Sequence, residues 1–302
     1  MNDKKIFSVL AVGAVLTAVL RFIQLFFLVD GKTGFVWEET AAAVGNIAVT
    51  VITLLCFLVV LIITTAFNKR QPIGAPKVSN HLPLVVTGFL MAGYFLVSSA
   101  VTAVSLGSAS KIEYLKLALE LLCTVFFVFF SVSGLSSDVK VPQALALAPI
   151  FYGGYELIFA YMDCRGVANI SDNIYKLAFL SFMLLFYLFE GKLLANAECR
   201  KSARLMLPVA SFCLIFGTIC TLPPLFMSLI GKRSALHTTE LPIGYLIAAV
   251  FAISFCAAMY REAKTPSGIE RSTQNANIGE NTEPVIKTES QIESRIENKA
   301  EN

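Results

Sequence analysis

The chain has 302 residues, of which 56% are apolar and 15% charged, with a mean hydropathy of +0.70. Soluble domains carry about 25% charged and about 45–50% apolar residues, so a water-soluble globule is excluded, as are disorder over most of the chain and collagen-like repetition. Lys and Arg number 18 against 13 Asp and Glu through residue 260, and 6 against 8 beyond it, which excludes the clustered positive face of a nucleic-acid-binding protein. What remains is a polytopic membrane protein.

A helix crosses the hydrocarbon core, about 30 Å thick, in about 20 residues, and eight runs reach that length. The first, 6–29, follows Lys4 and Lys5 as a signal peptide would, but its length and the interrupting Arg21, with no cleavage site, mark a retained span. The second, 40–67, carries Asn46, Thr50 and Thr53 on one face, and the third, 82–106, repeats this with Tyr94, Ser98, Thr102 and Ser105. The fourth, 115–135, includes Lys116 and Glu120. The fifth, 141–162, aligns Tyr152, Tyr155 and Glu156, with Pro149, Gly153 and Gly154 to loosen it. In the sixth, 174–195, Lys176, Glu190 and Lys192 lie near the ends and are expected to snorkel. Pro223 and Pro224 should break or kink the seventh, 205–230, and the eighth is 241–260.

Runs such as LLCFLVVLII do not alternate, so the spans are helices rather than barrel strands. From Arg261 the chain is polar and lacks aromatic residues, which predicts a disordered tail. Val285, Ile286, Ile292 and Ile296 could line a short partner-binding helix after Pro284. The expected fold is therefore an all-α, eight-helix polytopic membrane protein with a disordered C-terminal tail. Recurring features, Asp30 with Asp163, Pro83 with Pro208 and Ser105 with Ser228, suggest two tandem four-helix halves in parallel orientation.

Catalytic constellations are missing. His81 and His237 fall at opposite sides of the membrane, and no HExxH or GxxxxGK[ST] pattern occurs. Ser131-Val132-Ser133-Gly134 has no histidine beside it, Glu38-Glu39 reads as a first-turn acidic pair, and the seven cysteines include no CxxC. Neither an enzyme nor a cofactor or metal protein is expected. Asn169-Ile170-Ser171 matches a glycosylation triplet, but the compact loops favour a bacterial inner-membrane protein.

Ionisable groups inside spans are costly and point to function. Arg21, Glu120 and Glu156 share one depth, in the outer third. Together with Asn46, Tyr152 and Tyr155 they form the candidate charge cluster and solute site, with Gly153, Gly154, Pro223 and Pro224 as hinges. Arg21 is expected to pair with Glu120 or Glu156. Structural glue between helices is the competing reading of these polar faces. The leading functional reading is a transporter or permease with an outward-facing polar cleft for a small polar or ionic solute. The alternatives are a non-transporting subunit or sensor whose tail meets a cytoplasmic protein and, less favoured, a membrane-embedded enzyme.

Short loops on one side carry Lys4, Lys5, Lys69, Arg70, Lys77, Lys140, Arg200, Lys201 and Arg204; those on the other carry Lys32, Lys111, Arg165, Lys232 and Arg233. Basic residues favour the cytoplasm, which predicts both termini inside the cell membrane. Reporter fusions after Lys77, Asp172, Arg204 and Lys264 should read in, out, in, in; a tail labelled from outside intact cells overturns this orientation.

Overall fold

The computed structural model describes residues 3–29, 36, 40–68, 81–105, 111–135, 141–164, 171–195, 199–230 and 243–262. Glu38-Glu39, His237, Asn169-Ile170 and the tail from residue 263, including the segment after Pro284, lie outside the described residues. The helices are α1 (Asp3–Ile23), α2 (Thr40–Asn68), α3 (Leu82–Ser105), α4 (Lys111–Leu135), α5 (Ala148–Cys164), α6 (Ser171–Leu194), α7 (Cys199–Leu229) and α8 (Ile243–Glu262). A π-helical turn, Gln24–Leu28, extends α1, and a 3₁₀ turn, Gln143–Leu147, leads into α5. Among the described residues, eight helical segments are long and apolar enough to cross a membrane. No strand occurs among the described residues, only an isolated bridge between Val29 and Val36. Arg261 and Glu262 complete α8 rather than opening the tail.

Local chemistry explains several boundaries. The carbonyl of His81 accepts N–H bonds from Leu84 and Val85, and Pro83 sits in the first turn of α3, where its missing N–H leaves no intrahelical bond unmade. The π turn after α1 widens the helix by one residue and buries Gln24 beside Leu25. Of the break or kink expected at Pro223 and Pro224, the break does not occur: α7 continues through both and through Pro208. These rings remove backbone donors without ending the helix, because neighbouring helices hold it on several sides: α7 packs against α1, α2, α6 and α8.

The architecture is a ring. Each of α3 to α8 packs on its sequence neighbour, and α8 returns to pack on α3, closing a circle of six helices. The helices α1 and α2 stand outside it, docked on α7. The ring of Phe57 on α2 stacks on that of Phe216 on α7 at 4.5 Å, whereas most of the remaining surface of α2 is exposed and apolar, as suits a lipid-facing helix. At one end of the ring closure His81 lies within electrostatic reach of Glu262 and Arg261 of α8, and burial holds its imidazole below the ordinary histidine range. At the other end Gly244 lies against Tyr94: a Cβ there would overlap the phenol ring.

Inside the ring, phenylalanines from α3, α4, α6 and α8 form one layer. Phe95 stacks on Phe127 at 5.6 Å, Phe127 meets Phe251 edge-on at 5.2 Å, and Phe186 meets Phe255 edge-on at 5.9 Å. These aromatic side chains fill the interior of the helix circle to one side of the site described next. The two four-helix segments pack differently: α6 lies along α7, and α2 and α3 form no comparable interface.

The contact between α7 and α8 depends on Gly217, where a Cβ would lie 2.8 Å from the Ala249 Cβ and 2.9 Å from the Tyr245 carbonyl. Gly217→Ala should therefore lower stability: overpacking costs about 1–3 kcal/mol, against a helix-propensity gain of about 1 kcal/mol. Gly93→Ala meets open space and should hold or raise the melting temperature. Equal effects of the two substitutions in detergent-purified protein would contradict this packing.

Candidate functional site

The polar residues that share one depth in the sequence separate into two centres in space. Both lie toward the end of the bundle where α3 gives way to α4.

The first is built around Arg21 on α1, which is 2% exposed. Its guanidinium bridges to Asp172 in the first turn of α6 and donates to Gln24 Oε1 at 2.5 Å. The same cation lies over the Tyr175 ring, 4.8 Å from its centroid. Gln24 in turn donates to Asn46 Oδ1 on α2, and Cys220 of α7 lies within electrostatic reach of Arg21 and Asp172. The partner expected for Arg21, Glu120 or Glu156, is therefore corrected to Asp172. The physical reason is packing: α1 docks on α7 outside the ring, not on α4 or α5, so a long side chain at its end meets the start of α6. An acid is also favoured at a helix N-terminus by the helix dipole. Asn46 belongs to this centre, while Thr50 and Thr53 donate to the Asn46 and Val49 carbonyls of their own helix.

The second centre lies inside the ring. Glu120 on α4 is fully buried and accepts hydrogen bonds from Ser98 Oγ at 2.7 Å and Thr102 Oγ1 at 3.0 Å, both on α3. One turn earlier on α4, Lys116 Nζ lies 3.5 Å from Glu156 Oε1 on α5. Lys116 and Glu156 line a cavity of about 480 Å³ bordered by α3, α4, α5, α6 and α8, and Glu120 lies behind the lining residues Ser98 and Thr102. Tyr94, Ser98 and Thr102 line it from α3, Lys116 from α4, Tyr152, Gly153 and Glu156 from α5, and Tyr245 and Ala248 from α8. Phe95, Met183 and Tyr187 form its deeper wall, next to the phenylalanine layer.

Of the sequence-predicted site residues, Glu120, Tyr152 and Glu156 thus come together, while Arg21 and Asn46 meet each other through Gln24 at a separate place. Tyr155 is not among the cavity-lining residues; its hydroxyl donates to the Ile112 carbonyl at 3.4 Å, joining α5 to the start of α4. Gly153 gives α6 close approach, because a Cβ there would lie 3.3 Å from Leu184 Cδ1, whereas a Cβ at Gly154 would meet nothing. Both glycines, like Pro223 and Pro224, sit in unbroken helix.

Glu190 does not snorkel, contrary to the sequence expectation. It is 1% exposed, and neither carboxyl oxygen has a hydrogen-bond partner among the described residues. The missed signal is helical spacing: Glu190 follows Phe179, Met183, Phe186 and Tyr187 on one stripe, and all four are buried. Ser131 Oγ, also buried and unpartnered among the described residues, lies against Gly88 of α3.

Comparison with known proteins gives no match: no family model, no curated protein and no solved structure is similar to the chain.

The bridge to Asp172 should carry most of the stability of the first centre. Removing one partner of a buried ion pair costs about 3–5 kcal/mol, so Asp172→Asn should destabilise the purified protein strongly. Joint Asp172→Asn and Arg21→Met should recover most of that loss in thermal unfolding. A double variant as unstable as the sum of its singles would remove Arg21 from its assigned partnership.

Proposed function

We propose that this chain is a multi-pass membrane protein of transporter or permease type that binds a small polar or ionic solute in the cavity ringed by α3, α4, α5, α6 and α8. The observation that carries the reading is the cavity of about 480 Å³, with the Lys116–Glu156 pair on its wall and Glu120 behind Ser98 and Thr102. Small-molecule sites commonly measure about 300–1,000 Å³ and combine apolar walls with a few convergent polar groups. Arg21 takes no part in solute binding in this reading, because Asp172 and Gln24 engage it.

The phenylalanine layer forms the floor of the cavity, and a transport cycle requires that layer to part. The basic-residue asymmetry turns the mouth outward and leaves both termini in the cytoplasm of, by its compact loops, a bacterial cell. The tandem-half reading rests on the recurring sequence features alone. The reading assigns no catalysis, cofactor or metal.

A non-transporting sensor or subunit is the second reading. It draws on the same phenylalanine floor, which lets a bound solute be detected without passage, and on the polar tail as a surface for a cytoplasmic partner.

Accessibility tests the cavity directly. In a variant with its seven native cysteines replaced, Ala248→Cys on the cavity wall should react with a membrane-impermeant thiol reagent added to intact cells. Ala249→Cys, which faces Gly217, should not. Protection of position 248 from both sides of the membrane would refute a solute site; reaction only from inside would reverse the orientation.

A further inference from the structure

One buried acid lies beyond the phenylalanine layer, and the solute site makes no use of it. We propose that Glu190 of α6 is a proton-binding site, which carries a proton while the layer is closed and releases it toward the cytoplasm when the layer parts. The bound proton stands apart from the transporter reading; its release during a cycle rests on that reading.

The place of Glu190 follows from two helices. On α6, Phe179, Met183 and Tyr187 line the cavity, Phe186 belongs to the phenylalanine layer, and Glu190 comes one turn later. On α8 the order is the same. Tyr245 and Ala248 line the cavity, Phe251 and Phe255 form the layer, and Cys256, within electrostatic reach of Glu190, follows. The carboxyl group thus lies on the far side of the layer from the cavity, toward the end that the basic residues assign to the cytoplasm.

Its surroundings offer no counter-charge. Glu190 is 1% exposed, and neither oxygen has a hydrogen-bond partner among the described residues. The titratable groups about it are Tyr187 on its own helix and Cys256 on α8, with Cys213 of α7 in reach of both. On the side of α5 and the 3₁₀ turn, the next residue, Gly191, meets Ile150 and the Ala146 carbonyl. No lysine, arginine or histidine among the described residues acts on Glu190.

A buried carboxylate without a partner is far costlier than the neutral acid, so such a group takes up a proton rather than stay charged. A metal ion would need several donors, and Glu190 belongs to no cluster of three or more Asp, Glu, His or Cys side chains among the described residues. A proton needs only the carboxyl oxygen. It is the cation that fits.

That neutrality lasts while the site is dry. Phe186 and Phe255, in edge-on contact at 5.9 Å, stand beside Glu190 and Cys256 in the chain. A movement that parts these rings admits water to the carboxyl group, removes the penalty on its charged form and lets the proton pass to water on that side. One displacement would both open the cavity inward and free the proton, linking the two fluxes through α6.

Infrared spectroscopy of the detergent-purified protein at neutral pH reads the proton directly. Subtracting the spectrum of Glu190→Gln, or of Glu190→Leu, should leave the carbonyl band of a protonated carboxylic acid. Carboxylate bands in its place overturn the proposal. So does failure of both variants to fold, since a neutral acid without partners is replaceable by a neutral side chain. Release is read with the Ala248→Cys variant at fixed external pH. Making the cytoplasm more alkaline should slow labelling from outside several-fold, and adding Glu190→Gln should abolish that response. Labelling that ignores cytoplasmic pH overturns the release step and leaves the solute site standing. No labelling of Ala248→Cys from either side overturns the solute site and the release step together, while the infrared band still decides the bound proton.

Discussion

Hydrocarbon offers no hydrogen bonds, so each polar side chain within the bundle has to find its partner in the protein or bear the cost of lacking one. The two polar centres meet this constraint differently. Glu120 is satisfied within one helical hairpin, by hydroxyls of the preceding helix. Arg21 needs residues from three other places in the chain: Gln24 in the π turn, Asp172 and Tyr175 on α6, and Asn46 through Gln24. Gln24 opens the π turn three residues after Arg21, a spacing that puts the two side chains on one face. The first arrangement holds a carboxyl group behind two hydroxyls that line the cavity; the second surrounds a cation but leaves its Nε without a hydrogen-bond partner among the described residues.

The open space follows from side-chain size around the ring. On one side of the cavity, large rings interlock and leave no room. At the level of Ser98, Gly153 and Ala248, small residues line α3, α5 and α8, and the helices are already held apart by the phenylalanine layer. Ring closure through Gly244 and Tyr94 then keeps α8 from collapsing into the gap, since the phenol occupies the place that a side chain on α8 would take. Gly244 both lines the cavity and makes the closing contact.

Helix number and position are legible in the sequence because span length follows from bilayer thickness, a constraint that needs no knowledge of neighbours. The end of the bundle that holds the polar groups is legible for the same reason. Which groups meet is not. Sequence alone leaves Asp172 in a loop, although α6 begins at Ser171, and the separation of α1 from α4 depends on packing that sequence spacing does not encode. Proximity to a helix end suggests that Glu190 reaches water; its place on a buried stripe decides otherwise. Pro223 and Pro224 predict a break or kink because proline removes a backbone donor; α7, which packs against α1, α2, α6 and α8, does not end there.

The bridge from Arg21 to Asp172 spans 151 residues of sequence, and that distance has a meaning for synthesis. Chains emerge from the ribosome N-terminus first, at about 5–20 residues per second. Glu120 finds its hydroxyls as soon as α4 follows α3. Arg21 enters the bilayer with only Gln24 beside it in its own segment and waits until α6 has been made, many seconds at that pace, for its carboxylate. During that interval α1 is a helix with a guanidinium and no counter-ion. The first span is thus held in an unfinished state whose completion is set by the translation of the sixth.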